Sequence, residues 1–337
     1  MRSTFRQYFR PTRDELNELW QHGLFSFDAS VLLNVYGYSK KTRDEVVAFF
    51  ENNASRVRLP HQFGLEYSRN RSNVIVKQVH NYLKVEEALR KIRDEDLAPK
   101  HEHPYLSNKS TRAYQAILNE LEESRRAIEK LIGSDPYAEK MFTVFDGRVS
   151  KCPTPEELLQ LEETAQKRYD KLTPPGFADI KEKGFPAAYA DCIAWLQLIE
   201  IAKEEKRGVI LVIDDVKDDW WLQERRRTLG PRPELLEEFG RATQQLFYMY
   251  NSENFLRSVK EFMAAEIRDD AIEEVSSRLA SQRETESANV LKSVPSESDT
   301  IDREKDFVTS ADKITDPNST AKVDSESDRD KLSSGTD

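Results

Sequence analysis

Two short apolar runs in this chain end in acid. Leu24-Phe25-Ser26-Phe27 runs into Asp28, and Val209-Ile210-Leu211-Val212-Ile213 runs into Asp214 and Asp215. Runs of that length read as buried parallel strands, and open parallel sheets build their sites at the carboxyl ends of strands. Carboxylates that arrive there from distant parts of the chain repel one another. Two such charges about 4 Å apart cost roughly 4 kcal/mol at an effective dielectric of 20. A divalent cation relieves that repulsion, and Mg²⁺ and Mn²⁺ both favour carboxylate and water oxygens.

Two further acids fit the same group. Asp191 falls in the first turn of a helix predicted over 189–206, directly before the second of those strands. An acid there either complements the helix dipole or faces a site. Glu66 follows a brief strand predicted at Val57-Arg58-Leu59, and Arg69, Asn70 and Arg71 come within five positions of it. Polar and basic side chains so placed suit a phosphate backbone.

Other motifs carry weaker chemistry. Trp220-Trp221 has the ring surface to stack bases, but an adjacent pair is expected to give one core anchor and one half-buried neighbour. Asp218-Asp219 reads as a solvated turn. Arg225-Arg226-Arg227 reads equally as a solvated face and as a grip on phosphates. His101-Glu102-His103 has ligand types but lies between Pro99 and Pro104 with no Cys or third partner, which argues against zinc. Cys152 and Cys192 are the only cysteines, so a disulfide scaffold and a Cys-rich zinc site are both excluded.

The elements that must position these residues are strands alternating with helices. Thr12-Arg13-Asp14-Glu15 and Thr42-Arg43-Asp44-Glu45 each open a helix, the first ending near Gly23. A last strand is predicted over 246–250 and a helix over 252–263. That alternation argues for an α/β fold with a mostly parallel sheet. Residues 75–172 interrupt it with long amphipathic helices. Ile75, Val79, Tyr82, Leu83 and Leu89 recur at helical spacing, as do Tyr114, Ile117, Leu118, Leu121, Ile128 and Leu131. A further helix starts at Thr154-Pro155-Glu156-Glu157, with Pro155 at its first position and Glu157 where a capping box needs it. The expectation is a helical hairpin plus one more helix.

The chain has 337 residues, 33% of them charged and 38% hydrophobic, enough for a real core. No run approaches the roughly 18 apolar residues of a membrane span. The N-terminus lacks the apolar stretch of a secretory leader, and a cytoplasmic protein is the natural expectation. The net charge of −10 is uneven. Residues 271–337 hold 16 acids and 9 bases, which leaves −3 for the remaining 270 residues. The body therefore neither proclaims nor forbids nucleic acid. From about Glu266 the chain is rich in Ser, Asp, Glu and Lys and reads as disordered, with a short helix near 270–279.

Taken together, the motifs resemble the PIN-like nucleases, in particular a large subfamily with a helical insertion. The resemblance rests on an ordered set. It comprises Phe27-Asp28-Ala29-Ser30-Val31-Leu32-Leu33-Asn34; Glu66 with Arg69-Asn70-Arg71; Pro174-Pro175-Gly176-Phe177-Ala178-Asp179; Tyr189-Ala190-Asp191 with Trp195; Val212-Ile213-Asp214-Asp215 with Asp218-Asp219-Trp220-Trp221; Gly230-Pro231-Arg232-Pro233-Glu234-Leu235; and Phe247-Tyr248-Met249-Tyr250. It departs from the family pattern at Ala190, where Gly is usual, and at Ala178, where Lys is frequent. Neither change deletes a ligand.

The resemblance spans about residues 15–263 and implies a three-layer α/β/α domain built from residues 1–74 and 173–264, with the helical arm at 75–172 inserted in it; it leaves the acidic tail at 265–337 uncovered. It also implies an endonuclease dependent on Mg²⁺ or Mn²⁺, with RNA preferred over DNA. The implied metal and catalytic acids are Asp28, Glu66, Asp191 and either Asp214 or Asp215. Implied substrate contacts are Ser30, Asn34, Arg69, Asn70, Arg71, Asp179 and Arg225. The arm either extends the substrate surface or meets a protein partner or a second copy. The rival expectations are a nucleic-acid-binding module that keeps the fold without catalysis, and a structure-specific DNA nuclease.

Overall fold

The structure is a computed structural model that describes residues 1–2, 4–97, 107–225 and 227–293, without the side chains of 182 and 285–293. The His101-Glu102-His103 motif and the tail beyond 293 lie outside the described residues. In chain order, α1 (Arg13–His22) leads into β1 (Leu24–Phe27), then α2 (Ala29–Asn34) and α3 (Lys40–Asn52). The helical stretch follows as α4 (His61–Lys91), α5 (Asn108–Lys130), α6 (Pro136–Phe145) and α7 (Pro155–Tyr169). Next come α8 (Ile180–Lys183), α9 (Ala190–Glu205), β2 (Val209–Val212), β3 (Trp221–Glu224) and β4 (Arg227–Pro231). The chain then forms α10 (Pro233–Thr243), β5 (Phe247–Tyr250), α11 (Ser252–Phe262) and α12 (Asp269–Ser293). No described helix is long and apolar enough to cross a membrane.

β1, β2 and β5 form one parallel sheet with β2 at its centre. Leu24 is in register with Val209, and Val209 with Phe247, so all three strands end at the same level. The expected strand at Val57–Leu59 is present as two single bridges, Phe25 to Val57 and Leu59 to Val149. Alternate side chains of a strand point to opposite faces, and β5 shows which helices cover each. Tyr250 meets Trp20 of α1, which stacks in turn on Phe255 of α11. Phe247 meets Trp195 of α9 and Phe239 of α10. Helices therefore cover both faces, and the layers are α/β/α. Both predicted capping boxes are in place, Thr12 with Glu15 and Thr154 with Glu157.

The arm is more tightly joined to this core than a separable insertion. α4 runs unbroken for 31 residues through position 75, and its inner half buries Phe63, Tyr67 and Ile75. α6, which the sequence reading lacks, puts Met141, Val144 and Phe145 into the main core. α7 packs Ala165 and Tyr169 against Tyr189, Cys192 and Ile193. The short helix expected at 270–279 is longer than its composition suggests. Ala271, Ile272, Val275 and Leu279 are buried along one side of α12, a spacing of one apolar stripe. Gly37 passes so close to this helix that a Cβ there would lie 1.9 Å from Cζ of Arg278.

Candidate active site at the carboxyl ends of the strands

Asp28 stands at the turn from β1 into α2. Its backbone N–H continues the sheet ladder to Val212 O at 2.9 Å. Its carboxylate caps α2, accepting from Ser30 N at 3.0 Å and from the Ser30 hydroxyl. Burial pushes its pKa up to about 7, with Glu66 and Asp215 adding repulsion that the Ser30 hydrogen bonds only partly offset. Ser30 thus serves the carboxylate beside it.

Asp191 sits in the first turn of α9, buried, and accepts from Trp220 Nε1 at 3.2 Å. Burial, then the charges of Asp179, Asp215 and Asp28, push its pKa well above the carboxylate range, opposed by Lys183. Glu66 lies in the second turn of α4 and accepts from Gln62 Nε2 at 2.8 Å. Gln62 N donates in turn to Gln197 Oε1 on α9 at 2.9 Å, which locks the two acid-bearing helices together. Asp28, Glu66, Asp191 and Asp215 thus come from four stretches of sequence to one end of the sheet.

Asp214 and Asp215 part company. Asp214 turns to Ser252 N and Oγ, both at 2.8 Å, and to Asn34 Nδ2 at 2.9 Å. Asn34 passes the chain on, accepting from Gln282 Nε2 at 2.8 Å. These are joints between β2, α2, α11 and α12, and they occupy Asp214 and Asn34 with partners outside the acid group. Successive side chains of an extended segment point to opposite sides, so Asp215 faces the other acids. Its own N–H donor partner is Lys217 N at 3.0 Å from Oδ1, with Lys217 Nζ at 3.0 Å from Oδ2.

Two lysines enter the group that the sequence reading did not single out. Lys217 Nζ bridges Asp215 and Asp179, and Lys183 Nζ meets the other oxygen of Asp179. Although burial opposes its charge, Asp215 and Asp179 hold Lys217 protonated far above the ordinary amine range. Lys217 lies two positions beyond Asp215, on the loop leaving β2, and that adjacency was its one signal in the sequence. Asp179 is fully buried and serves these lysines.

Asp219 is fully buried too, which overturns the solvated-turn expectation for it; Asp218 is exposed. Asp219 Oδ2 accepts from Gly176 N at 2.8 Å and Ala178 N at 3.0 Å, holding the Pro-Pro-Gly loop against the site. Gly176 has φ +94°, and a Cβ there would lie 3.0 Å from Cβ of Asp191. Trp220 and Trp221 are both buried, so neither is an open stacking surface.

The remaining candidates scatter. Arg69 and Asn70 are exposed on α4, one turn beyond Glu66. Arg71 turns inward to Asp135 at 2.6 Å, an acid that also accepts from Tyr36 Oη at 2.7 Å and caps α6. That engagement commits Arg71 to the joint between α4 and α6. Arg225 is at the exposed tip of the β3–β4 hairpin, with φ +49°. Cys192 is buried, and burial pushes its thiol up to about 12, so it stays protonated.

Whether this group suits a divalent ion has two answers. The donor set is hard carboxylate oxygen, of the kind Mg²⁺ and Mn²⁺ take, and buried carboxylates that repel one another match what a cation would relieve. Yet among the described residues no three His, Cys, Asp or Glu side chains stand close enough to hold an ion as arranged. The lysine ammonium groups lie among the acids.

No curated protein and no solved structure matches the chain. Residues 24–235 match the family model described as PIN like domain. That stretch begins at β1, carries all four clustered acids and both lysines, and covers more than half of the chain. The protein therefore belongs to the PIN-like domain family.

Proposed function

We propose that the protein is a nuclease that hydrolyses phosphodiester bonds with the help of Mg²⁺ or Mn²⁺, single-stranded RNA ahead of DNA. Domains of its family are generally nucleases. The observation that carries the reading is the crowding of Asp28, Glu66, Asp191 and Asp215 at one sheet end, with Asp28 and Asp191 pushed up by burial and mutual repulsion. Such perturbed, clustered acids are what a catalytic site arranges. These four side chains offer the carboxylate oxygens such an ion takes, and because no three of them stand close enough to hold it as arranged, they would have to draw together around it. When bound, it supplies a Lewis acid for phosphate and acidifies a water. Ser30 and Trp220 orient Asp28 and Asp191 through their hydrogen bonds. Lys217 fixes the rotamer of Asp215. The preference for RNA rests on the family resemblance alone.

The test is cleavage of end-labelled single-stranded RNA with Mn²⁺, using wild type and Asp28→Asn purified identically. Wild type should cut, EDTA should stop it, and the variant should not cut. Equal cutting by both proteins would remove the proposal.

One observation favours a second reading, a nucleic-acid-binding module without catalysis. The acids do not close into a cage, and Lys217 is already among them. A ligand that binds only the folded state raises its stability, so thermal melting with Mn²⁺ separates the two. Nuclease chemistry calls for an Mn²⁺-dependent rise that Asp28→Asn abolishes; the module calls for none.

A further inference from the structure

A cavity opens beside the loop that follows Asp215. It has a volume of about 630 Å³ and lies between the β3–β4 hairpin, the end of β5 and the first turns of α11. Val216, the residue after Asp215, lines it, and so does Trp221. The hairpin wall is fastened to the site itself. Trp221 Nε1 donates to Asp215 O at 2.6 Å, and Gln223 Nε2 donates to Val216 O. The cavity wall is therefore fastened to the loop that carries Asp215, although none of the four acids lines the cavity itself.

Its lining is polar and cationic. Arg10, Arg257 and Arg283 line it together with Tyr248. Two acids line it as well, and both have partners: Glu253 pairs with Arg257 at 3.1 Å, and Glu261 with Arg13. Arg10 and Arg283 have no carboxylate partner among the described residues, and both are exposed. Arg10 only donates to Leu229 O at 3.4 Å. Arg10 thus has no carboxylate interaction, Arg283 acts only on the buried Asp214 without pairing to it, and the Arg-rich hairpin tip with Arg225 and Arg227 stands at the end of the cleft wall.

We infer that this cleft carries one strand of nucleic acid beside the acids, with Arg10 and Arg283 on phosphates and Tyr248 against a base. The inference rests on the nuclease reading for the direction of the strand. Exposed guanidinium groups suit phosphate, and aromatic rings stack any base.

The test is binding measured apart from cutting. Fluorescence anisotropy with a labelled 12-nucleotide oligouridine in EDTA reads affinity across a salt series. Replacing both arginines, R10A with R283A, should weaken binding about 10-fold at 0.1 M salt and lower the slope of log K against log salt by about 1.4. R10K with R283K should keep most of the slope, Y248A should weaken binding with the slope unchanged, and a matching duplex should bind less tightly than the single strand. R126A, on the outer face of α5, is the control for general loss of charge. An unchanged affinity and slope in R10A/R283A, an equal loss in R126A, or no binding by wild type overturns the inference. Cleft-dependent binding without any cleavage upholds the cleft and removes the nuclease reading. Cleavage that ignores both arginines does the reverse.

Discussion

The arm and the strand ends both bury acids, and they treat them oppositely. In the arm each buried acid among the described residues meets a base. Glu86 on α4 pairs with Arg125 on α5 at 2.9 Å, and Asp135 ahead of α6 pairs with Arg71 at 2.6 Å. At the strand ends, Asp28 and Asp191 are as deeply buried, yet their hydrogen bonds come from neutral donors, Ser30 and Trp220. Pairing serves the fold, because an unpaired buried charge is costly. Leaving like charges crowded stores repulsion that only a cation or a proton removes. Local departures from good pairing concentrate where function is.

The contrast sharpens most between two neighbours, Asp214 and Asp215. Asp215→Asn should reduce cleavage by about 10³-fold, roughly 4 kcal/mol of transition-state stabilisation, with little change in melting temperature. Asp214→Asn should do the opposite. Its amide would face the donors of Ser252 and Asn34, and an unmet buried group costs about 1–3 kcal/mol, while cleavage should stay within a few-fold. Denaturation and cleavage measured on both variants decide it. Equal losses of cleavage would place Asp214 in the site and break the distinction.

The next largest effect tests the pairing in the arm. Glu86→Gln leaves Arg125 without its nearest carboxylate, although Glu129 stays within 3.5 Å. Breaking a buried pair costs about 3–5 kcal/mol; the remaining neighbours and the partly exposed Arg125 reduce that to about 2 kcal/mol. Urea unfolding should show this loss, with cleavage by the folded protein unchanged. A stabilised variant would show that the arm's pairs, too, are held for something other than stability.

A pH profile sharpens the same comparison without replacing the arm at all. Asp28 has a folded pKa of about 7 against an ordinary 3.8, so between those values the folded state binds the extra proton. Its contribution to stability is therefore complete below about pH 4 and is lost as pH rises through 7. In EDTA the wild type should lose stability across that window, and Asp28→Asn should flatten the loss. Melting temperatures from pH 4.5 to 8 test it; parallel profiles would mean that Asp28 is not perturbed.

Much of this architecture was legible before the structure, and the reasons divide by range. β1, β2 and β5 announce themselves as apolar runs, and both capping boxes are local patterns that need no tertiary help. Asp28 and Asp191 are legible because each follows from its position at an element's end. Arg71 misleads because its partner is 64 residues away. The β3–β4 hairpin has no apolar alternation; of its described residues only the first and last are buried. It is held by the Trp221 and Gln223 hydrogen bonds to the loop after β2. Lys217 looks like any loop lysine until Asp179 arrives from another element. α12 hides four core residues in a charged sequence, where composition outweighs periodicity.

The smallest effect concerns that last helix. Gln282 reaches Asp214 only through Asn34, and Gln282→Ala removes one partly buried hydrogen bond at the edge of the molecule. A single neutral hydrogen bond is worth about 0.5–1.5 kcal/mol net, and Asn34 Oδ1 can turn to water once the side chain is gone. Stability should fall by about that much, and cleavage should not change, because Asp214 keeps Ser252 as a donor. A loss of cleavage larger than the loss of stability would mean that α12 sets the angle at which β2 presents Asp215. The joint at Asp214 would then belong to the same machinery as the acid beside it, and the line drawn here between paired and crowded acids would have to pass through α12 instead of between two adjacent residues.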